Sequence, residues 1–359
     1  MTLDRRAFLA TTAAFSFAPS LLSAAYQPAS QTWRSYTLTT RVTLPRNGKT
    51  AQAWIPLPAH SDAQWTLPQD NRASGNMDAL EIVQNPEEGY ALMHARWNAG
   101  DEPAELTVIS TVRTRDRSPE QAAPATLSDA EFAQHTAPTR LIPTDGIVLE
   151  TAQDIVAGAT SEREKAIRIY DWVVEQTERN PETRGCGLGD IASMLHMGDL
   201  TGKCADLNAL YVGLARAAGL PARDLYGLRV APSAFGYKSL GAGSADVTKA
   251  QHCRAEVFLP QSGWTPVDPA DVRKVILQEA PEAGLTDPRV QDARAGLFGH
   301  AEGNWIALST AHDVHLPGSA DPTPVPFLMY PQAEVDGIRR DELDADSFAY
   351  AIAVEETTA

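Results

Sequence analysis

Cysteine is scarce in this chain, with three in 359 residues, so disulfide staples are not what holds it together. A chain of this length buries enough apolar surface without them. The odd count leaves at least one thiol unpaired, and a Cys186–Cys253 disulfide with Cys204 free is one arrangement it permits. Positive charge is also short. Lys and Arg total 30 against 46 Asp and Glu, a formal net charge of −16, and no stretch clusters basic residues into the face that a phosphate backbone needs, which argues against nucleic acid as the main partner. Long apolar runs are missing after the first 25 residues, so no stable membrane span remains once that segment is removed. There is no Gly-x-Ser-x-Gly nucleophile elbow and no glycine-rich phosphate cradle, which removes the support for serine-hydrolase and nucleotide chemistry. No cofactor signature is present, and the isolated "HDVH", with His312 and His315, lacks the further ligands of a metal site.

The N-terminus does carry a signal. Arg5 and Arg6 precede Phe8 and Leu9, an apolar stretch runs to Leu22, and Ser23, Ala24 and Ala25 are small. Residues 1–25 read as a twin-arginine export signal cleaved near Ala25, which places the mature protein in the periplasm or outside the cell.

Period-two alternation then dominates. "SYTLTTRVTL" sets Tyr36, Leu38, Thr40, Val42 and Leu44 on one face, and "ELTVISTVRTR" does the same with Leu106, Val108, Ser110 and Val112. The spacing predicts a β-rich antiparallel domain over 26–117. Pro119, Pro124, Pro138 and Pro143 mark 118–144 as an extended linker. Helical periodicity starts after it, at Ser161 with Glu164 three residues on, followed by Ala166, Ile169, Tyr170 and Val173, which predicts a helix over 162–179. A second helix opens at "GKCADLNALYVGLARAAGLPAR", with Leu207, Leu210, Tyr211, Leu214 and Ala218 as its stripe and Gly219 and Pro221 as its stop. "DLYGLRV" reads as a strand, 231–249 as a loop beside a cleft, and "QHCRAEVFLPQSGWTPVDP" as a hairpin. These segments define a core over 145–280, and 281–359 is a C-terminal extension with strands, among them "SFAYAIAVEE".

Cys204 heads its helix, where unpaired backbone N–H groups favour a thiolate and can hold an oxyanion. A nucleophilic thiol also needs an imidazole with its own acid. Among the eight histidines, His252 sits in a strand whose hairpin return bears Asp268. Alternation puts His252, Arg254, Glu256 and Phe258 on one face and Cys253, Ala255 and Val257 on the other. If Pro260–Gly263 closes as a plain four-residue loop, Asp268 faces Ala255, on the wrong side. A one-residue offset, for which Gly263 is the natural site, brings Asp268 to the His252 face.

The order Cys204, His252, Asp268, in these three segments, resembles the transglutaminase-like superfamily of cysteine enzymes over about residues 150–275. "AWIPLP" in the N-terminal strands is similar to the β-rich leader of exported bacterial members. The resemblance implies an α+β fold with a papain/transglutaminase-like core, Cys204 as nucleophile, His252 as general base and acid, and Asp268 as the residue orienting the imidazole. Where many members carry an aromatic residue shortly after the histidine, this chain has Cys253 and Arg254. The chemistry implied is attack on an amide, ester or peptide carbonyl and release of a thioester to water or to an amine. Water is preferred because no segment marks an amine site. The partner would be a peptide or protein, cell-envelope polymers included, with no cofactor and no metal. A crosslinking transferase and a non-catalytic binding module on the same fold are the alternatives.

Overall fold

In a computed structural model, residues 25–29 and 32–357 are described. The export segment 1–25, apart from its last residue, lies outside them. Six strands come first: β1 (Arg34–Leu44), β2 (Ala51–Leu57), β3 (Thr66–Gly75), β4 (Ala79–Asn85), β5 (Tyr90–Trp97) and β6 (Ala104–Thr114). The segment 118–144, expected to be extended, contains α1 (Asp129–Thr136), because Ser128 and Glu131 close a capping box around its first turn. Then come α2 (Gly146–Val156), α3 (Glu162–Gln176), the two-residue β7 (Glu178–Arg179), α4 (Ile191–Met197), the two-residue β8 (Thr201–Gly202) and α5 (Cys204–Ala217). Strands β9 (Ala222–Arg229), β10 (Gln251–Leu259) and β11 (Gly263–Val267) precede α6 (Pro269–Glu279) and α7 (Pro288–Gly296). The chain ends through β12 (Trp305–Ser309), β13 (His312–Val314), β14 (Val325–Phe327), β15 (Gln332–Val335), β16 (Ile338–Arg339) and β17 (Tyr350–Thr357).

The alternating faces of β1 and β6 behave as their sequences predict. Leu38, Val42, Leu44, Leu106, Val108 and Val112 are buried. Sheet β17-β1-β6-β3 packs on sheet β16-β15-β2-β5-β4, with Val42, Leu44, Leu106 and Val108 meeting Ile55, Leu57 and Met93 between them. Three of the nine strands in this sandwich, β15, β16 and β17, come from the last 30 residues of the chain. β17 pairs antiparallel with β1, Leu38 opposite Val354.

In the second body, α5 packs against sheet β11-β10-β9-β12. Every residue from Cys204 to Arg216 is buried, as expected of a helix surrounded on all sides. Its stop is the predicted one, with Gly219 at φ 83°. Helix α3 has the predicted start, the Ser161 hydroxyl accepting the Glu164 amide at 3.2 Å, and the predicted buried stripe. It ends at Gln176 rather than 179 because Glu178 and Arg179 leave it to pair in parallel with Thr201 and Gly202. That pairing sets Arg179 beside the turn that leads into Cys204.

Candidate functional site

The hairpin register decides whether His252 and Asp268 can meet. Leu259 pairs with Gly263 and Ala255 with Val267, so the loop is three residues long, Pro260 to Ser262. The Ser262 amide donates to the Leu259 carbonyl at 3.0 Å, and Gly263 takes φ 67°, a left-handed conformation that glycine adopts at little cost. Relative to a plain four-residue loop this is the required one-residue offset. Continued by one step, the register sets Asp268 against Arg254, on the His252 face.

The side chains follow the register. Asp268 Oδ2 lies 2.7 Å from His252 Nε2. Asp268 is also the N-cap of α6, its Oδ1 accepting the Asp271 amide at 3.0 Å. Asn208, one turn along α5 from Cys204, donates to Asp268 Oδ1 at 3.2 Å and to the Cys253 carbonyl at 2.8 Å. It braces the acid rather than the thiol. With Nε2 engaged by Asp268, Nδ1 is the nitrogen available to the Cys204 sulfur.

Sequence reading missed a second carboxylate. Asp271 Oδ2 stands 3.4 Å from the same His252 nitrogen, while both its oxygens accept from Arg229 Nη2 at 2.6 and 2.7 Å. The spacing "DPAD" could have signalled it, because the N-cap and N3 residues of a helix share a side. Trp305 was missed too; its indole N–H donates to the His252 carbonyl at 3.0 Å and its ring lies under the Arg254 guanidinium. Nothing in the local sequence around Trp305 points to His252. Trp264 lies away from the thiol, its ring 4.0 Å from the Arg223 guanidinium.

Electrostatics favour an ion pair. For His252, burial is the largest single effect and lowers its pKa, as does Arg229, but the charges of Asp271 and Asp268 outweigh both and hold it at about 9. The Cys204 thiol is held well below its ordinary range by hydrogen bonds from Cys186 and Cys253, then by the hydrogen bond and charge of His252, against the cost of burial. The sulfurs of Cys186, Cys204 and Cys253 lie within 4.8 Å of one another, and all three are unbonded. The pairing of Cys186 with Cys253 is therefore not formed. Asp271 remains ionised because Arg229 and His252 overcome its burial, whereas burial and the Asp271 charge raise the pKa of Asp268.

Cys204 is 2% exposed and lies at the base of a cleft of about 610 Å³. The loop after β9 forms one wall through Gly241 to Gly243, and the C-terminal segment forms another through Leu343, Phe348 and Tyr350. Tyr330 reaches the cleft beside Cys186. The first-turn amides are not all free. The Ala205 N–H donates to the Cys186 carbonyl at 2.9 Å, which removes it from the amides that could hold an oxyanion. Asp206 accepts from the amides of Leu188, Gly189 and Lys203 at 2.9–3.0 Å, so beyond offsetting the helix dipole it ties down the loop carrying Cys186.

A thiol on a central helix, an imidazole on the neighbouring antiparallel strand and a carboxylate on the return strand define an α+β fold of papain/transglutaminase-like type. The chain belongs to the transglutaminase-like superfamily, whose model matches residues 149–269. An uncharacterized protein of Haemophilus influenzae is 35% identical over 315 residues, which cover 83% of this chain and 84% of that one. Among solved structures, a presumed cysteine protease of Cytophaga hutchinsonii is 14% identical, with TM-score 0.49, and the match covers 91% of this chain and 99% of that one. The periplasmic domain of TgpA from Pseudomonas aeruginosa is also 14% identical, with TM-score 0.34 and coverage of 70% and 93%.

Proposed function

We propose that this protein is a cysteine-dependent acyl-transfer enzyme that cleaves amide or peptide bonds through a thioester on Cys204. The observation that carries the reading is the 2.7 Å contact of His252 Nε2 with Asp268, which leaves the other ring nitrogen to a thiol biased toward thiolate. The Cys204 thiolate attacks the carbonyl carbon, and the developing oxyanion is met by the Cys204 amide. The His252 imidazolium then gives its proton to the departing amine. In the second half the neutral imidazole takes a proton from water, hydroxide attacks the thioester, and the thiolate leaves. Water is the proposed acceptor because it has access to the cleft in bulk and no segment of the sequence marks an amine site.

The reading fits an exported protein acting on peptides or proteins, cell-envelope ones included. The support for export is the pattern in residues 1–25, with paired Arg5 and Arg6 ahead of an apolar stretch and small residues at 23–25. The catalytic unit is assigned to 145–280, with the strands of 26–117 ahead of it.

Profiling the purified protein against a peptide and amide library, with and without a primary amine, tests the proposal. Free-acid products and an acyl adduct on Cys204 by mass spectrometry are expected. Predominant amide products would make it a crosslinking transferase, and no adduct with any substrate would leave a binding module. The rate should rise with pH as Cys204 ionises, below the ordinary thiol range, and fall as His252 deprotonates near pH 9. The pKa of His252 is raised above its unfolded value of about 6.5, so its stabilising charge is fully present below that pH. That contribution is lost as pH rises through about 9. An activity profile centred on the alkaline side of pH 9 would contradict the ion pair.

A further inference from the structure

The surface of this chain is acidic, with net charge −16, but the cleft over Cys204 is not. Arg179, Lys203, Lys249 and Lys274 line it, and none of the four forms an ion pair among the described residues. Two other lining arginines are neutralised, Arg184 by Asp341 and Arg229 by Asp271. Only Asp246 and Glu342 bring negative charge to the lining, and the Asp246 carboxylate is already capping Thr248, at 2.7 and 3.0 Å. The excess is thus positive at the one place where substrate would sit.

Two of these cations are positioned by the elements that build the site. Lys274 lies one turn beyond Asp271 on α6, the helix that Asp268 caps, and Arg179 is held opposite Gly202 by the β7–β8 pairing. Arg179 Nη1 is buried with no hydrogen-bond partner among the described residues, a donor whose desolvation is left uncompensated. Burial and then Arg229 bring the Lys274 pKa down to about 8 against the pull of Asp271, and Arg179 adds to the repulsion. An anion between Lys274 and Arg179 relieves each of these costs.

We infer that the acyl donor is an acidic peptide, with a carboxylate close to the carbonyl that Cys204 attacks and seated against Lys274 and Arg179. The inference rests on the proposed nucleophile and adds the substrate's charge. The same cations offset, near the cleft, the repulsion that a net-acidic protein exerts on an anionic ligand.

Alkylation of Cys204 by iodoacetate and by neutral iodoacetamide reads the field at the sulfur without knowledge of the substrate. The iodoacetate to iodoacetamide rate ratio should exceed that of a small free thiol and fall with added salt. It should drop by about threefold for each charge removed in Lys274→Met and Arg179→Gln, the effect of one unit charge across about 7 Å of water. A ratio equal to that of the free thiol, or unmoved by salt in the wild type, overturns the inference while leaving the nucleophile intact. Cys204 reacting no faster than a free thiol with either reagent instead overturns the nucleophile itself.

Tyr26 supports a second proposal. Its side chain is 1% exposed, edge-on to Phe235 and Tyr237 with ring centroids at 5.4 and 5.6 Å. Its amide N is 2.8 Å from Asp292 Oδ2, which also accepts the Tyr237 hydroxyl at 2.6 Å. Gly296 makes room for it, since a Cβ there would stand 2.3 Å from the Tyr26 carbonyl oxygen. We propose that Asp292 anchors the mature N-terminus once an export-linked endopeptidase, acting where the sequence places the end of the signal, has hydrolysed the Ala25–Tyr26 bond. Water adds across it, Ala25 leaves as a carboxylate, and the Tyr26 nitrogen becomes an ammonium paired with Asp292. N-terminal sequencing of the exported protein should begin at Tyr26; another first residue overturns the proposal. A chain starting at Tyr26 should unfold at a higher temperature than one retaining Ser23–Ala25, and Asp292→Asn should abolish the difference. Equal unfolding temperatures of the two unsubstituted chains also overturn it.

Discussion

Cys204→Ala is expected to lower kcat/KM by about 10⁴-fold or more while leaving the fold in place. Nucleophile removal in triad enzymes has effects of this size because the remaining groups cannot form the covalent intermediate. The fold should survive because the change exchanges one small buried group for another at a helix start whose cap is made by Asp206 and the Lys203 amide. His252→Ala should be equally severe, and the double variant no worse than either single one, since the two residues act as a unit. Steady-state kinetics on the three variants, with circular dichroism as a folding control, measure this. Residual activity within tenfold of wild type in Cys204→Ala would place the chemistry elsewhere.

The second large effect separates the two carboxylates on His252. Asp271→Asn is expected to destabilise the protein by about 3–5 kcal/mol, because it leaves Arg229, 3% exposed, without its counter-ion. Asp268→Asn retains a capping oxygen for the Asp271 amide and a partner for Asn208, but loses the charge that orients and stabilises the imidazolium. It should therefore cost about 10²–10⁴-fold in kcat with a smaller loss of stability. Chemical denaturation read beside kinetics distinguishes the pair. If Asp271→Asn loses rate without stability, Asp271 and not Asp268 orients the ring.

The difference between these carboxylates bears on what could be read in advance. Asp268 is visible because it lies on the hairpin return of His252, and strand alternation shows that an offset near Gly263 is needed for the two to meet, which the register supplies. Asp271 is visible only as a helix N3 acid; its contact with Arg229 joins residues 42 positions apart and depends on the first turn of α6 meeting the last residue of β9. The Cys186–Cys253 pairing was open by count, and the fold instead gathers all three sulfurs around the head of α5. Helix α1 was legible in "SDAE" but is obscured by the prolines that flank it.

Periodicity and punctuation by themselves determined the strands β1 and β6, the helices α3 and α5, the His252 hairpin, and the order of thiol, imidazole and acid. These are local properties, since side-chain direction repeats with the backbone and a cap or turn is made by near neighbours. Only the tertiary structure decided what those elements meet. It returned β15, β16 and β17 to sheets begun about 300 residues earlier, and it placed Asp271 and Trp305 against His252. It also drew Arg179, Lys203, Lys249 and Lys274 into one cleft although no stretch of the chain is basic. Alternation records which face of a strand is buried but not which strand covers it, and a charge acts through space over several ångströms regardless of its place in the chain.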